Sequence, residues 1–258
     1  MFKKKLLLII LAVALFMFTI VGCAGDTQKF VMEGNFTVVG SGGYPPFNFF
    51  DNNEVVGFDV DTGQAIAERL GVELVYETSA WDGLIEGLKA GRFDAVLGSM
   101  AITEERQEEV AFTIPYYYSG AQLVVRADSG ITDPSDMVGK NIAVTVGTNF
   151  VQDAEELGAE VSLYDDDNAT LMELINGRVD GVITDRLVAI NAMEEISGGE
   201  DLVLAGELLR LEEMALAVNE NNTALLDELN AILEDMHADG TLTEISEYWH
   251  NGEDITVK

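Results

Sequence analysis

The stretch Leu88-Lys89-Ala90-Gly91-Arg92-Phe93-Asp94-Ala95-Val96-Leu97 returns later in the chain as Leu174-Ile175-Asn176-Gly177-Arg178-Val179-Asp180-Gly181-Val182-Ile183. Each copy reads as the end of an amphipathic helix, a glycine just past its last turn, and a short buried strand. Leu84, Ile85 and Leu88 share one helical face in the first copy, and Leu171, Leu174 and Ile175 do so in the second. Gly-Arg-x-Asp alone is short enough to recur by chance, so the surroundings decide. Around the first copy, strands expected at 36–39, 72–76 and 94–98 alternate with helices at 62–70 and 82–90. Around the second, strands at 141–146, 161–164 and 179–184 alternate with helices near 150–157 and 169–176. This alternation predicts two open α/β sheets. Ligands of such sheets sit beyond the carboxyl ends of the strands, at a topological switch point. Those ends are Gly40-Ser41, Gly98-Ser99, Val146-Gly147 and Thr184-Asp185, so two lobes facing each other across them enclose a cleft.

The rest of the chain leads back to the first lobe. A helix is expected at 185–196, a strand at 214–218, and two short helices at 230–236 and 242–249, separated by Gly240. The second lobe, 118–213, is then an insertion in a first lobe made of 31–117 plus 214–258. The chain crosses near 116–120 and 211–215, and two crossings make a hinge.

The amino terminus speaks to compartment. Met1-Phe2-Lys3-Lys4-Lys5 precedes an apolar run from Leu6 to Val21, and Gly22 leads into Cys23. A basic segment, an apolar segment and small residues at a cleavage site read as a signal peptide over 1–22. A cysteine at the first mature position resembles the lipobox of bacterial lipoproteins, where the thiol is lipidated and the chain is cut before it. The alternative is a transmembrane anchor, for which the run is short against the roughly 20 residues of a span. Residues 23–30 read as a tether. Cys23 is the only cysteine, so no intrachain disulfide can form. The expected location is the extracytoplasmic side of the cell membrane, held by a lipid.

Composition narrows the partners. Hydrophobic residues make up 48% of the chain, ample for a core. The leader holds three lysines and no acid, so its removal takes the formal net charge from −32 to −35. Phosphate binding needs clustered Lys and Arg, so nucleic acid is disfavoured. Such acidity also argues against anionic ligands and points to a saline or cation-rich habitat.

Further motifs carry a resemblance. Gly57-Phe58-Asp59-Val60-Asp61 is followed by Ala65-Ile66-Ala67. Around it stand Tyr44-Pro45-Pro46-Phe47, Trp81-Asp82-Gly83-Leu84-Ile85, Ile102-Thr103-Glu104-Glu105-Arg106 and Pro115-Tyr116-Tyr117. In this order and spacing, from about Phe36 to Trp249, the chain resembles the solute-binding proteins of amino-acid ABC transporters, extracellular solute-binding protein family 3. The resemblance implies a periplasmic-binding-protein-like α/β fold of type II, with two lobes on a two-crossing hinge.

A free amino acid presents a carboxylate and an ammonium, so a selective site needs one fixed cation and one fixed anion. Arg106 is one of 11 basic residues after the leader and lies in a first helical turn that Thr103 can cap. Arginine offers a planar, bidentate fit to a carboxylate; the bland alternative is a surface pair with Glu105 or Glu109. Asp185 falls where the second lobe's strand meets its helix. The resemblance gives it the ligand's α-ammonium, and capping its helix is the other reading; one carboxylate can do both. Tyr44 and Trp81 match aromatics that sandwich the ligand side chain, although Trp81 also suits a core beside Leu84 and Ile85. Ser99, Ala101 and Thr148 match positions that contact the α-carboxylate or backbone. Ser41, Thr145 and Thr184 fall at side-chain positions.

Two departures bear on specificity. Ala101 stands where many relatives carry Ser or Thr, and Ser41 where binders of cationic or amide side chains often have Asp. They favour a small or medium polar, uncharged amino acid. The expected partners are that free amino acid, an ABC permease and, through the lipid, the membrane, for a protein acting as a monomer. A ligand-sensing module for a receptor is an alternative, as is a periplasmic dehydratase on the same fold. Catalysis needs a positioned acid or base, and His237 and His250 fall in the C-terminal helices, remote from the strand ends. The expectation is therefore no enzyme, no cofactor and no metal. If Cys23 carries the lipid, Cys23→Ser releases the protein from membranes or leaves it unprocessed. Cell fractionation checks this, and a mutant that is processed and retained normally overturns it.

Overall fold

The structure, a computed structural model, describes residues 29–258. The signal peptide, Cys23 and most of the tether lie outside the described residues. In chain order the strands are β1 (Asn35–Gly40), β2 (Gly43–Tyr44), β3 (Asn48–Asp51), β4 (Glu54–Val56), β5 (Glu73–Thr78) and β6 (Ala95–Ala101). They continue with β7 (Ala111–Phe112), β8 (Tyr117–Arg126), β9 (Asn141–Thr145), β10 (Glu160–Tyr164), β11 (Gly181–Asp185) and β12 (Leu202–Val218). The helices are α1 (Phe58–Leu70), α2 (Leu84–Lys89), α3 (Glu104–Gln107) and α4 (Phe150–Glu156). Then come α5 (Asp167–Ile175), α6 (Arg186–Glu195), α7 (Thr223–Ala238) and α8 (Thr241–Trp249). Among the described residues no helix is long and apolar enough to cross a membrane.

The repeat in the sequence is a repeat in topology. In the first half β1 lies between β5 and β6 and is parallel to both. In the second half β9 lies between β10 and β11, again parallel to both. In each half the chain therefore leaves the central strand to one side and returns on the other, which is the arrangement that opens a crevice at the strands' carboxyl ends. Gly91 and Gly177, the matched glycines of the repeat, share a φ of 69°, as expected of residues that end a helix in the left-handed region.

The two sheets expected from the alternation run into one. The strand order is β10-β9-β11-β8-β12-β6-β1-β5, with β7 beside β12. Continuity comes from β8 and β12, antiparallel partners through Leu211↔Gly120, Glu212↔Ser119 and Met214↔Tyr117. β8 also pairs with β11, and β12 with β6. The long β12 was expected only at 214–218. Arg210, Glu212 and Glu213 interrupt the apolar alternation that marks a strand. A small separate meander, β2-β3-β4, was not expected. Its β3–β4 turn places Asn52 and Asn53 at φ 48° and 69°, the two positive angles a two-residue hairpin favours.

Helix α1 starts a turn earlier than its apolar pattern suggests. Gly57, at φ 130°, opens it, and a Cβ there would meet the Phe47 carbonyl oxygen at 2.1 Å; only glycine fits. This helix buries Phe58, Ile66 and Ala67 and also Asp59. The Asp59 carboxylate accepts hydrogen bonds from Tyr116 Oη (2.5 Å), Asn48 Nδ2 (2.7 Å) and Ser99 Oγ (3.0 Å). Aromatic rings close over it, with Phe58 stacked on Tyr116 at 5.8 Å and Phe47 on Tyr117 at 4.8 Å. Burial raises Asp59 to about 6 against the pull of those hydrogen bonds.

Candidate functional site

A cleft enclosing about 480 Å³ of empty space opens at the carboxyl ends of the central strands. The first half supplies Ser41, Tyr44, Trp81, Ser99, Ala101 and Arg106 to its lining. Ser99 ends the straight course of β6 with a φ of 58° while only 5% exposed. Its N–H donates to Tyr116 Oη and its hydroxyl to Asp59. A non-glycine residue in that region is strained, and such strain gathers at functional sites. Ser41 donates to Asn48, whose amide donates to Asp59, so one carboxylate positions both serines.

Arg106 sits in α3, capped by Thr103, whose hydroxyl accepts the Arg106 N–H at 3.2 Å. Its side chain folds back so that Nη1 donates to the Ala101 carbonyl at 2.8 Å. The guanidinium lies 5.3 Å from the Trp81 ring, within cation–π reach. Arg106 is 8% exposed, and no carboxylate among the described residues forms an ion pair with it. Burial pulls its guanidinium below the ordinary arginine value. The surface pairing with Glu105 or Glu109 is therefore not what forms.

The second half supplies Thr145, Thr148, Asn149, Asp166 and Asp167, and β12 adds Glu212. Thr148 donates to the Thr145 carbonyl at 2.7 Å. Asp166 caps α5 by accepting the Ala169 N–H at 2.8 Å. Asp167 in the first turn is buried and accepts from Thr145 Oγ1 (2.9 Å) and Thr184 Oγ1 (2.5 Å). Burial raises its carboxyl above the usual carboxylate value. Trp81 Nε1 reaches across to donate to the Gly147 carbonyl at 3.1 Å.

Asp185, like Thr184, differs from the other eight predicted residues, because it does not line the cleft. It is fully buried and caps α6, its Oδ1 accepting the Leu187 N–H at 2.7 Å and the Val188 N–H at 3.4 Å. The capping reading accounts for that oxygen only. Oδ2 has no partner within hydrogen-bond geometry, although the Ser119 hydroxyl lies beside Asp185. Burial raises Asp185 to about 7 against the pull of Ser119, and the charge of Glu212 adds to the rise. Tyr44 lies among the same acids, and burial with the charges of Asp185, Asp167 and Glu212 pushes its phenol up.

Four acids in the lining, Asp165, Asp166, Asp167 and Glu212, have no role in the sequence analysis. The helix expected from near Ala169 leaves Asp167 outside it. Glu212 lay inside the expected crossing and was given no role; a carboxylate in a strand otherwise heading into the core was the available signal. Glu212 is 4% exposed, with Oε1 accepting from Asn149 Nδ2 (2.5 Å) and Arg210 Nη2 (2.8 Å). Arg210 also pairs with Asp153, and Glu212 Oε2 has no partner.

Comparison with known proteins agrees with this fold. The profile of the bacterial extracellular solute-binding proteins, family 3, matches residues 36–252. The L-cystine-binding protein TcyJ of Escherichia coli (strain K12) is 33% identical over 237 residues, 90% of this chain and 88% of the relative. ABC transporter arginine-binding protein 1 of the same strain is 37% identical over 215 residues, 80% and 86% of the two chains. The structure of an ancestral arginine-binding protein bound to glutamine superposes with a TM-score of 0.80 at 36% identity. The match covers 84% of this chain and 98% of that one.

If Asp185 holds a ligand's ammonium, as the resemblance implies, that binding depends on pH. An ammonium that meets Asp185 needs the carboxylate, so below the raised pKa of about 7 each binding event ejects a proton. Affinity for an ammonium-bearing ligand therefore rises by up to about tenfold per pH unit towards 7 and levels off above it. Titration calorimetry in buffers of different ionisation enthalpy checks this: proton release at pH 6 and little at pH 8.

Proposed function

The chain belongs to the bacterial extracellular solute-binding proteins, family 3, and on that premise we propose that it captures a free amino acid between two lobes and delivers it to an ABC permease. The observation that carries this reading is Arg106, buried in the cleft wall with no ion-pair partner among the described residues. Leaving a guanidinium so placed is costly unless an anion arrives. Asp185, with one unpartnered carboxylate oxygen, supplies the opposite charge from the other side. Arg106 for the α-carboxylate and Asp185 for the α-ammonium match the two charges of an amino acid. Tyr44 and Trp81 flank the side chain.

The lobes are 31–117 plus 214–258 and 118–213, with β8 and β12 as the two crossings. A ligand that touches both lobes stabilises the closed form by its differential affinity. The protein binds its ligand without converting it. Its relatives are named as binding proteins. His237 contacts the Pro115 carbonyl and His250 packs between Phe47 and Phe58, so neither ring lines the cleft. The protein works outside the cytoplasm as a monomer, tethered through a lipid on Cys23, a reading that rests on the leader sequence.

Truncating one partner of a buried charged contact costs about 2–5 kcal/mol, roughly 30-fold to several-thousandfold in affinity. Arg106→Ala and Asp185→Ala should each lose that much while remaining folded, measured by calorimetry with the tightest-binding amino acid. Arg106→Lys should recover only part, because lysine keeps the charge and loses the fork. Binding within about twofold of wild type by either folded alanine variant would sink the assignment. Small-angle scattering should show a smaller radius of gyration at saturating ligand. An unchanged profile rejects the hinge.

A further inference from the structure

The cleft has an excess of hydrogen-bond acceptors and almost no spare donors. Asp165, Asp166, Asp167 and Glu212 line it against the single basic residue Arg106. Outside Arg106, Tyr44 and Asn149, the polar side chains that might donate have already spent their protons. Ser41 donates to Asn48, Trp81 to the Gly147 carbonyl and Ser99 to Asp59. Thr145 donates to Asp167 and Thr148 to the Thr145 carbonyl. A hydroxyl that donates inward turns only lone pairs outward. Thr184 does the same, giving its proton to the other oxygen of Asp167.

Glu212 adds an independent observation. It is 4% exposed, lines the cleft, and one of its two oxygens has no partner although the other is held twice. Asp185 has a second unpartnered oxygen. An amino acid with a neutral side chain brings one ammonium, which answers Asp185 and leaves Glu212 Oε2 without a partner, although Oε1 is paired with Arg210. An unpartnered oxygen on a buried carboxylate costs more than one on a neutral group. A metal ion is a poor answer, because no group of three or more His, Cys, Asp or Glu among the described residues is arranged to hold one. A side-chain amide would present a carbonyl to a wall with little left to donate. A guanidinium or a second ammonium presents donors only, five or three of them, and no acceptor.

We propose that this cleft selects an amino acid whose side chain ends in a cation, with Glu212 and Asp167 setting the preference. This rests on the amino-acid reading of the cleft and replaces the expectation of an uncharged side chain. That expectation followed from Ala101 and from Ser41, the position where binders of cationic side chains often have Asp; here the acids come from α5 and β12 instead. Tyr44 and Trp81 suit the change, since aromatic faces hold the alkyl stem and attract the cation.

The test compares ligands of nearly equal shape. Arginine and citrulline differ by a donor-only guanidinium against a urea that carries a carbonyl; lysine and glutamine extend the series. Calorimetry on the wild-type protein should show arginine or lysine bound about tenfold or more tighter than citrulline and glutamine. Glu212→Gln and Asp167→Asn should each cut that ratio about fivefold or more. Equal or tighter binding of citrulline, glutamine, another neutral amino acid or cystine overturns the proposal and leaves the amino-acid reading standing. So does a wild-type ratio that survives both variants. If no amino acid binds the wild-type protein, the reading of the cleft itself falls. The wild-type ratio decides the matter even where a variant fails to fold.

Discussion

The Asp59 carboxylate holds together segments that the chain delivers from four directions. It lies in the first turn of α1, and its partners come from β3, from the end of β6 and from the entry to β8. A fully buried carboxylate is costly unless every lone pair is engaged, and here three strong donors and a shell of aromatic rings provide that. The consequence reaches the cleft. Asn48 relays the constraint to Ser41, Ser99 is held in a left-handed conformation, and Tyr116 is fixed where the chain starts across to the second half. The family-like run from Gly57 to Asp61 is thus part of the scaffold. It does not itself line the cleft, yet through Ser99 and Asn48 the cleft geometry depends on it.

A second buried acid plays the matching part in the other half. Asp167 gathers Thr145 from the central strand and Thr184 from its neighbour, as Asp59 gathers residues from around β1 and β6. The two hubs differ in where they stand. Asp59 is walled off by rings, while Asp167 lies in the cleft lining. The same chemistry that stiffens one half therefore stiffens the other and also charges the binding surface. This is why the character of the ligand follows from the scaffold as much as from residues that touch it alone.

How much of this was legible depended on the range of the forces involved. The helix–glycine–strand repeat was readable because it is local: Gly91 and Gly177 take the same backbone angle, and the strands they precede flank the central strands. Eight of the ten site residues expected from the sequence line one cleft, Thr184 and Asp185 being the exceptions, since strand ends follow once the alternation is known. The β8–β12 pairing was not readable, because it joins distant segments and one of them carries Arg210, Glu212 and Glu213. The β3–β4 hairpin was missed although Asn52-Asn53 signalled it; strands of three or four residues leave almost no period to detect. Which donors are already spent is a property of pairs such as Trp81 with Gly147, and no single residue announces it. Net charge points the same way as the proposed preference, since so acidic a chain is expected to turn away anions.

Trp81 shows how recognition and closure become one event. Its ring is stacked near the Arg106 guanidinium, and its indole N–H reaches the Gly147 carbonyl on the opposite wall. An anion that takes hold of Arg106 fixes the guanidinium plane, and a fixed plane fixes the ring that rests on it. With the indole already oriented, the hydrogen bond across the cleft costs less conformational entropy to form. Arg106 already holds the Ala101 carbonyl and Trp81 the Gly147 carbonyl. Only a ligand that makes different contacts in the two states shifts their balance; on the proposed reading an anion on Arg106, beside the Trp81 ring, would be such a contact.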